Sequence, residues 1–208
     1  MTDTSHLTVT AGAYDAIAVL YAEYVQGYLD RFPLDRAMLA AFAASVPPGP
    51  VADLGCGPGH ITALLHGLGR DAFGVDLSPV TIDLARDAHP GLRFEVGSMH
   101  ELPLPEGTLA GAVSWYSVIH TPPAELPRYF EEFQRVLAPG GFLLLAFFES
   151  EGGPVTAFDH RVTLAYRWPI DEVAALACRT GFVEVGRMLR EPGEDERFRR
   201  GHLLMRKQ

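Results

Sequence analysis

An acidic residue and three alternating glycines follow the first strand-like apolar run of the chain. The run reads Asp53, Leu54, Gly55, Cys56, Gly57, Pro58 and Gly59, and a helical apolar spacing begins directly after it. Glycine adopts positive φ and has no Cβ, so a ligand can lie against the main chain of such a turn. The helix behind the turn also begins with unpaired N–H groups. This glycine loop (residues 53–59) therefore predicts a strand–turn–helix that binds a ligand.

Two classes of ligand use a turn of this kind. Dinucleotide-binding enzymes need G-x-G-x-x-G, with the pyrophosphate on the helix N-terminus. His60 stands where that pattern has its third glycine, and a carboxylate at Asp53 would repel a pyrophosphate. The same carboxylate suits a ligand that carries an ammonium group. A tight strand-to-helix turn without a ligand, as in any α/β protein, is the alternative.

A second acid, Asp76, ends the next strand-like run. Ligands of open α/β sheets lie across the carboxyl ends of the strands. A carboxylate there can accept hydrogen bonds from both hydroxyls of a ribose, although it could equally be a solvated acid that caps the next helix. Dinucleotide enzymes also place an acid here, so only Asp76 together with Asp53 favours an adenosine ligand with an ammonium group.

The glycine loop resembles the first motif of class I S-adenosylmethionine-dependent methyltransferases, in particular those that act on small molecules. Leu137-Ala138-Pro139-Gly140-Gly141 resembles another landmark of that family, and the resemblance extends over residues 12–148. It implies S-adenosylmethionine as cofactor and S-adenosylhomocysteine as product. Ser98 departs from the pattern, because the family often has an acid before the apolar residue here. The implied cofactor-binding residues are Tyr14, Tyr21, Asp53, Gly55, Cys56, Gly57, Gly59, Asp76, Leu77, Ser98, Met99 and Trp115.

Tyrosines recur at helical spacing in the N-terminal segment. Residues 12–30 are predicted to form an amphipathic helix, with one stripe made of Tyr14, Ile17, Tyr21, Tyr24 and Tyr28. The stripe could face the core with its hydroxyls at the rim. Many small-molecule methyltransferases carry an N-terminal helix over the cofactor, so the resemblance implies that this helix is a lid.

The residues after the fourth strand and in a later insertion are the candidates for catalysis. Trp115 and Tyr116 offer aromatic faces to a sulfonium, although Trp115 could instead fill the core. His120 is the first candidate for a general base, followed by His160 and Tyr116; a polar residue that merely ends a turn is the alternative for His120. Arg161 and Arg167 could pair with a carboxylate of the acceptor or be surface charges.

Composition excludes several classes of protein. The chain has 208 residues and a net charge of −9, which argues against a basic surface for nucleic acid. Lys207 is the only lysine, so Schiff-base and P-loop chemistry are not expected. The eight histidines lack metal-binding spacing, and the two cysteines are far apart, so no metal is expected.

The ends and apolar runs of the sequence predict a cytoplasmic protein. No apolar run reaches the roughly 18 residues of a membrane span. Met1–Thr10 is polar and has no apolar signal core. We expect no nucleic-acid partner, no membrane association, and a monomer or homodimer.

Alternating strands and helices predict a doubly wound α/β fold. We expect a seven-stranded, mainly parallel sheet with one antiparallel strand near the C-terminus. The predicted strands are 50–54, 72–76, 92–96, 109–114, 142–148, 182–190 and 197–206. A single domain is expected, with a helical lid (1–48), a cofactor-binding core (49–148), a substrate-pocket insertion (149–168) and a C-terminal helix with a strand pair (169–208).

The predicted reaction is in-line transfer of a methyl group to an oxygen, nitrogen or carbon nucleophile of a small molecule. The alternatives are a non-catalytic module that binds S-adenosylmethionine and, less favoured by the residues, a nicotinamide-dependent oxidoreductase. Asp53 and the missing third glycine argue against the oxidoreductase.

Overall fold

The computed structural model describes residues 5–208. The helices are α1 (Ser5–Val25), α2 (Tyr28–Arg31), α3 (Pro33–Ser45), α4 (His60–Gly67), α5 (Pro79–Ala88), α6 (Leu126–Val136) and α7 (Ile170–Arg179). The strands are β1 (Pro50–Leu54), β2 (Asp71–Asp76), β3 (Arg93–Val96), β4 (Leu109–Trp115), β5 (Leu137–Glu149), β6 (Thr156–Asp159), β7 (Leu164–Trp168), β8 (Phe182–Arg190) and β9 (Arg200–Lys207). A short 3-10 turn spans Val118–His120.

The sheet has the predicted doubly wound topology. Strands β3, β2, β1, β4 and β5 are neighbours in that order, and all pair in parallel. β9 pairs antiparallel with the other edge of β5, and β8 pairs antiparallel with β9. Only β9 therefore runs against the other strands of this seven-stranded arrangement. The predicted fold class is confirmed.

The insertion at 149–168 adds two strands to this arrangement. β6 and β7 form an antiparallel hairpin, and β7 joins the end of β5 in parallel at Phe148 and Glu149. The sheet of the described residues therefore has nine strands. The hairpin was not expected, because its strands are four and five residues long and show no clear apolar alternation.

Both faces of β5 are buried, as its continuous apolar sequence predicts. Leu143, Leu145 and Phe147 face the core that contains phenylalanines of α6. Leu144 and Ala146 face the opposite core, together with residues of α3. Helices on both faces hold the parallel strands in place, so their carboxyl ends meet at one edge.

The N-terminal segment differs from the single helix predicted over 12–30. α1 begins earlier, at Ser5, and ends at Val25. Gly27 has φ +67°, the left-handed conformation that ends helices, and the short α2 follows it. Residues 1–4 of the predicted lid and of the polar Met1–Thr10 segment lie outside the described residues. None of the helices within residues 5–208 has the length and apolar character needed to cross a bilayer.

Candidate active site

A cleft lies at the carboxyl ends of the parallel strands, and α1 covers it. It has two lobes, which contain about 580 and about 760 Å³ of space, part of it open to solvent. Lining residues that belong only to the first, the Asp76 lobe, include Thr10, Ala11, Gly57, Asp76, Leu77, Gly97, Met99, Ser117 and His120. Those of the second, the Arg200 lobe, include Tyr24, Tyr28, Asp53, Cys56, His60, Phe148, His160 and Arg200. Tyr14, Tyr21, Gly55, Trp115 and Tyr116 line both lobes, so the two lobes are adjacent.

The glycine loop brings the main chain close to its neighbours. The N–H groups of Gly55 and Cys56 both donate to the carbonyl of Val75, which ties the loop to β2. Gly57 has φ +51°, and a Cβ on it would lie 3.2 Å from Cε1 of Tyr21. Glycine at this position therefore lets the ring of α1 approach the loop.

Two other residues of the loop pack away from the cleft. A Cβ on Gly59 would lie 2.7 Å from Cζ of Phe94, so this glycine permits the packing of β3. Gly59 does not line either lobe. Cys56 lines the Arg200 lobe, but it also belongs to a small core with Ile82, Ala85 and Phe94. Packing explains Gly59 without the cofactor contact that the resemblance implied.

Asp53 is a fully buried carboxylate with one unused oxygen. Its Oδ2 accepts a hydrogen bond of 2.7 Å from the hydroxyl of Thr62, whereas Oδ1 has no partner among the described residues. Burial raises the pKa of Asp53 to about 7, because the hydrogen bond from Thr62 offsets only part of the lost solvation. A cationic group in the Arg200 lobe would satisfy this oxygen.

Asp76 is half-buried, and both of its carboxylate oxygens accept hydrogen bonds from backbone N–H groups. Its Oδ2 accepts from the N–H of Gly57 at 2.8 Å, and its Oδ1 accepts from the N–H of Ser78 at 2.9 Å. Burial raises the pKa of Asp76, and these backbone hydrogen bonds oppose the shift. The helix cap is Ser78, whose hydroxyl accepts from the N–H of Thr81. Asp76 therefore braces the glycine loop and faces the cleft beside Leu77.

The residues after β3 divide between the cleft and the surface beside it. Gly97 and Met99 line the Asp76 lobe, but Ser98 does not. The hydroxyl of Ser98 lies 2.5 Å from Nδ1 of His100. Ser98, which the resemblance implied as a cofactor contact, therefore directs its hydroxyl at His100 in the turn that follows β3.

Trp115 and Tyr116 stand where the two lobes meet. Trp115 lines the cleft and also packs in the core, 5.1 Å from the ring of His202. Its indole Nε1 has no partner among the described residues. Tyr116 has φ +53°, which is unusual for a residue other than glycine. Its hydroxyl lies 3.2 Å from Nε2 of His202, which fixes the ring.

His120 is buried and has a defined tautomer. Its Nδ1 lies 2.8 Å from the carbonyl of Leu164, so Nδ1 carries the proton. Nε2 then accepts from the hydroxyl of Tyr14 at 3.0 Å. Burial lowers the pKa of His120, and the hydrogen bond to Leu164 opposes this. His120 is therefore a neutral imidazole with its basic nitrogen directed at the lid.

His160 lies beside His120, with 5.2 Å between their ring centroids. Burial, with a further contribution from His120, lowers the pKa of His160 to about 4. The hairpin of β6 and β7 carries His160 into the Arg200 lobe. The structure thus brings together all three predicted catalytic side chains around the two lobes.

The arginine that lines the cleft differs from the two candidates that the sequence indicated. Arg161 is exposed, Arg167 stacks on Phe198 at 4.4 Å, and neither lines a lobe. Arg200, the first residue of β9, lines the second lobe instead. The available signal was its place near the start of the last predicted strand, 197–206, which was expected to pair antiparallel.

The residues present fit S-adenosylmethionine, the cofactor that the resemblance implies. The unpartnered Oδ1 of Asp53 can accept from an α-ammonium. Asp76 projects from the end of the neighbouring strand, where a ribose of the same ligand would lie. The rings of Trp115 and Tyr116 line the space between the two acids, which suits a sulfonium.

Comparisons with known proteins agree with this geometry. A sequence profile described as a methyltransferase domain matches residues 51–141. The chain is 34% identical over 164 residues to trans-aconitate 2-methyltransferase of Methylobacterium nodulans, covering 76% of this chain and 61% of that one. It is 26% identical over 136 residues to malonyl-[acyl-carrier protein] O-methyltransferase of Serratia marcescens, covering 65% of this chain and 48% of that one. The chain thus spans about half to three-fifths of the length of these relatives.

The fold also matches solved structures. One is the 1,6-didemethyltoxoflavin-N1-methyltransferase of Burkholderia thailandensis, with bound 1,6-didemethyltoxoflavin and S-adenosylhomocysteine. The two structures superpose with a TM-score of 0.68 at 26% sequence identity, and the match covers 93% of this chain and 89% of that one. Together with the topology of the sheet and the cleft at its carboxyl edge, these matches show that the chain belongs to the class I S-adenosylmethionine-dependent methyltransferases.

Proposed function

We propose that this chain transfers the methyl group of S-adenosylmethionine to an oxygen, nitrogen or carbon nucleophile of a small molecule. The observation that carries the proposal is a pair of adjacent lobes with shared lining residues, one lined by Asp76 and the other by Asp53, at the ends of neighbouring strands. One lobe accommodates the nucleoside end of the cofactor. The other continues past Asp53 and leaves room for an acceptor.

Relatives support an acceptor of small size. Two of them are named for acting on trans-aconitate and on a malonyl group held by a carrier protein. The structure from Burkholderia thailandensis holds a small heterocycle beside S-adenosylhomocysteine. We infer an acceptor of comparable size for this chain.

Alignment and exclusion of water are the main contributions of the protein. S-adenosylmethionine supplies a methyl group that its sulfonium has already activated. Asp76 binds and orients the ribose, and Asp53 accepts from the ammonium, so that the reacting centre lies near Trp115 and Tyr116. Tyr14 and Tyr21 of α1 cover the cleft, which keeps bulk water away from the reacting atoms.

His120 is the candidate base for an acceptor that must lose a proton. His120 lines the Asp76 lobe, its Nδ1–H is anchored on Leu164, and its unprotonated Nε2 faces Tyr14, which lines both lobes. An acceptor hydroxyl or amine that displaces the Tyr14 hydroxyl would donate to this nitrogen. His160 and Tyr116 remain the second and third candidates.

The division of the chain follows from the same proposal. We infer a single domain in which residues 1–48 cover the cofactor-binding core at 49–148, and 149–168 shapes the acceptor pocket. Residues 169–208 close the sheet. A cytoplasmic location, the absence of nucleic-acid and membrane partners, and a monomeric or homodimeric state stay predictions.

A ligand-binding experiment and a transfer assay test the proposed function. We expect S-adenosylmethionine and S-adenosylhomocysteine to raise the melting temperature, and NAD and NADP to have no effect. With a panel of phenols, amines and carboxylates, labelled methyl groups should appear on at least one acceptor. A shift with NAD alone would favour the oxidoreductase. Cofactor binding without transfer to any acceptor would favour the non-catalytic module.

A further inference from the structure

Arg200 reaches the cleft because β9 runs against the other strands. Its partner across the sheet is Phe148, near the carboxyl end of β5. An antiparallel strand begins at the edge where its parallel neighbours end. The first residue of β9 therefore projects at the same edge as Asp53 and Asp76.

The guanidinium of Arg200 is buried and only partly bonded. Its Nε and Nη2 donate to Oε1 of Glu196 at 3.1 and 3.0 Å. Its Nη1 is buried and has no hydrogen-bond partner among residues 5–208, although the side chain lines the Arg200 lobe. Arg200 as a whole is 9% exposed. A buried N–H without an acceptor is unfavourable, so this atom is placed for a ligand.

Neighbouring charges leave Arg200 incompletely neutralised. Arg190 donates to Asp35 at 2.6 Å and bonds both oxygens of Glu196, at 2.5 and 2.8 Å. Glu196 is therefore shared by two guanidinium groups, and Asp35 serves Arg190. The carboxylate that Arg200 contacts is mainly neutralised by Arg190, so the free side of Arg200 can take an anion.

Aromatic rings hold the guanidinium in position. The centre of the Arg200 guanidinium lies 4.3 Å from the ring centroid of Phe148 and 5.3 Å from that of Tyr116. Both rings also line the lobe. Stacking on aromatic rings fixes the plane of an arginine and so directs its free N–H.

We propose that the methyl acceptor carries a carboxylate, and that Nη1 of Arg200 binds this group in the Arg200 lobe. The inference rests on the proposed function. A singly charged anion suits the site better than a phosphate, because Glu196 offsets part of the charge of Arg200, and Asp53, which also lines the lobe, would repel a second negative charge. The aromatic walls, which include Tyr24, Trp115 and Phe148, fit an acceptor with an apolar body.

Paired acids and amides provide the test. Small aromatic and aliphatic mono- and dicarboxylic acids, each matched with its neutral carboxamide, are titrated by calorimetry into protein saturated with S-adenosylhomocysteine. We expect at least one acid to bind roughly ten- to a hundred-fold more tightly than its amide, as the loss of a charge-assisted hydrogen bond predicts. If every acid binds no better than its amide, the proposal is wrong.

Three variants test whether the preference for an acid over its carboxamide depends on Arg200. Arg200→Gln should abolish it, and Arg200→Lys, which keeps the charge, should retain part of it. Arg167→Gln is the matched control, because Arg167 also stacks on an aromatic ring but lines neither lobe. Retention of the full preference in Arg200→Gln would also overturn the proposal. If Arg200→Gln does not fold, a reduced preference in a folded Arg200→Lys supports the proposal, and an unchanged preference refutes it.

Affinity for S-adenosylhomocysteine separates this inference from the proposed function. Arg200→Gln should bind S-adenosylhomocysteine as the wild type does, because the nucleoside lies in the Asp76 lobe and Asp53, not Arg200, accepts from the ammonium. A loss of this affinity in Arg200→Gln would assign Nη1 to the carboxylate of the cofactor and would overturn the proposal. A wild-type protein that does not bind S-adenosylhomocysteine contradicts the proposed function itself. One that binds it but shows no preference for acids contradicts only the role of Arg200.

Discussion

Asp53 and Asp76 end adjacent strands, yet their surroundings differ. Asp76 accepts two short backbone hydrogen bonds, which stabilise its charge. Asp53 is fully buried, and Thr62 is its only hydrogen-bond donor among the described residues. The charge of Asp53 therefore depends on what occupies the cleft, and this makes its ionisation measurable through ligand binding.

Cofactor affinity should depend on pH through Asp53. Below about pH 7 the carboxyl of the free protein is protonated, and it must lose this proton to face an ammonium. Affinity for S-adenosylhomocysteine should therefore fall about ten-fold per pH unit below 7 and level off above it. Calorimetry between pH 5.5 and 8, in two buffers of different ionisation enthalpy, measures both the affinity and the released proton.

The matched variant is Asp53→Asn, which keeps the size of the side chain. It should bind more weakly at pH 8 and lose most of the pH dependence. The same pH profile in wild type and Asp53→Asn would assign the proton to another group, with Asp76 next because burial also raises its pKa.

Gly57→Val should prevent cofactor binding without unfolding the protein. The new side chain would meet Tyr21 and project into the Asp76 lobe. Gly69→Val is the control, because Gly69 also has positive φ, +81°, but a Cβ there meets nothing within 4 Å. Both variants should be destabilised by backbone strain, by about 1 kcal/mol or more. Calorimetry should show binding only for Gly69→Val; equal binding by both would contradict a role for Gly57.

His120→Ala should lower kcat by roughly 10²–10⁴-fold if proton removal accompanies transfer. Affinity for S-adenosylhomocysteine should change little. Because burial lowers the pKa of His120, the wild type should keep its activity to a pH below the usual 6.5 of histidine, and the variant should lack this acidic limb. The exposed His66 provides the control variant, His66→Ala. If His120→Ala keeps the rate and the pH profile of the wild type, the protein contributes to catalysis by aligning the cofactor and the acceptor, without a base at His120.

Helix α1 is attached to the sheet domain through side chains at two points near the cleft. Asp15 accepts from the hydroxyl of Ser78 at 2.5 Å and from the N–H of Val80 at 3.3 Å, at the start of α5. Tyr14 donates to His120. These contacts hold α1 over the Asp76 lobe, which gives the predicted lid a defined closed position.

Asp15→Ala should loosen this attachment. We expect S-adenosylhomocysteine to dissociate several-fold faster in stopped-flow measurements, because closure of a lid retains the ligand. Glu23→Ala, an exposed position on the same helix, is the control and should leave the rate unchanged. If both variants release the ligand at the wild-type rate, the contact with α5 is not part of a lid.

Across the whole molecule, a buried ionic cluster joins α3 to the last two strands. It consists of Asp35, Arg190, Glu196 and Arg200, and Tyr28 donates to Asp35 at 2.7 Å. Burial by itself raises the pKa of Glu196, but hydrogen bonds from Arg190 and Gly193 and the charge of Arg200 lower it to about 2. The C-terminal strand pair and the lid segment are therefore linked through charge.

This cluster predicts a loss of stability in acid. The folded pKa of Glu196 lies below its usual 4.5, so its contribution is fully present above about pH 4.5 and is lost as the pH falls towards about 2. Urea unfolding at pH 6, 4.5 and 3.5 measures the free energy of unfolding. Glu196→Gln should be destabilised at pH 6 by about 3–5 kcal/mol, since Arg200 loses its only carboxylate partner among the described residues and Arg190 keeps only Asp35. The difference from wild type should shrink at pH 3.5; a constant difference would contradict the assignment.

The sequence alone determined the elements and the family. Strands β1 and β8 have their predicted bounds, and β2, β3 and β4 agree within one residue, whereas β5 begins at Leu137, five residues before its predicted start. These features depend on local spacing: apolar periodicity, glycines and prolines act on the chain within about one element. Asp53 and Asp76 could be assigned to one edge of the sheet, because the carboxyl ends of parallel strands lie at the same edge.

Only the tertiary structure decided which side chains meet in the cleft. The hairpin of β6 and β7 brings His160 next to His120, and the antiparallel β9 brings Arg200 next to Phe148. The packing of Gly59 on Phe94 likewise depends on a neighbour that no local pattern specifies. Such contacts join residues far apart in the chain, so strand register and direction determine them, whereas the spacing of residues along the sequence does not.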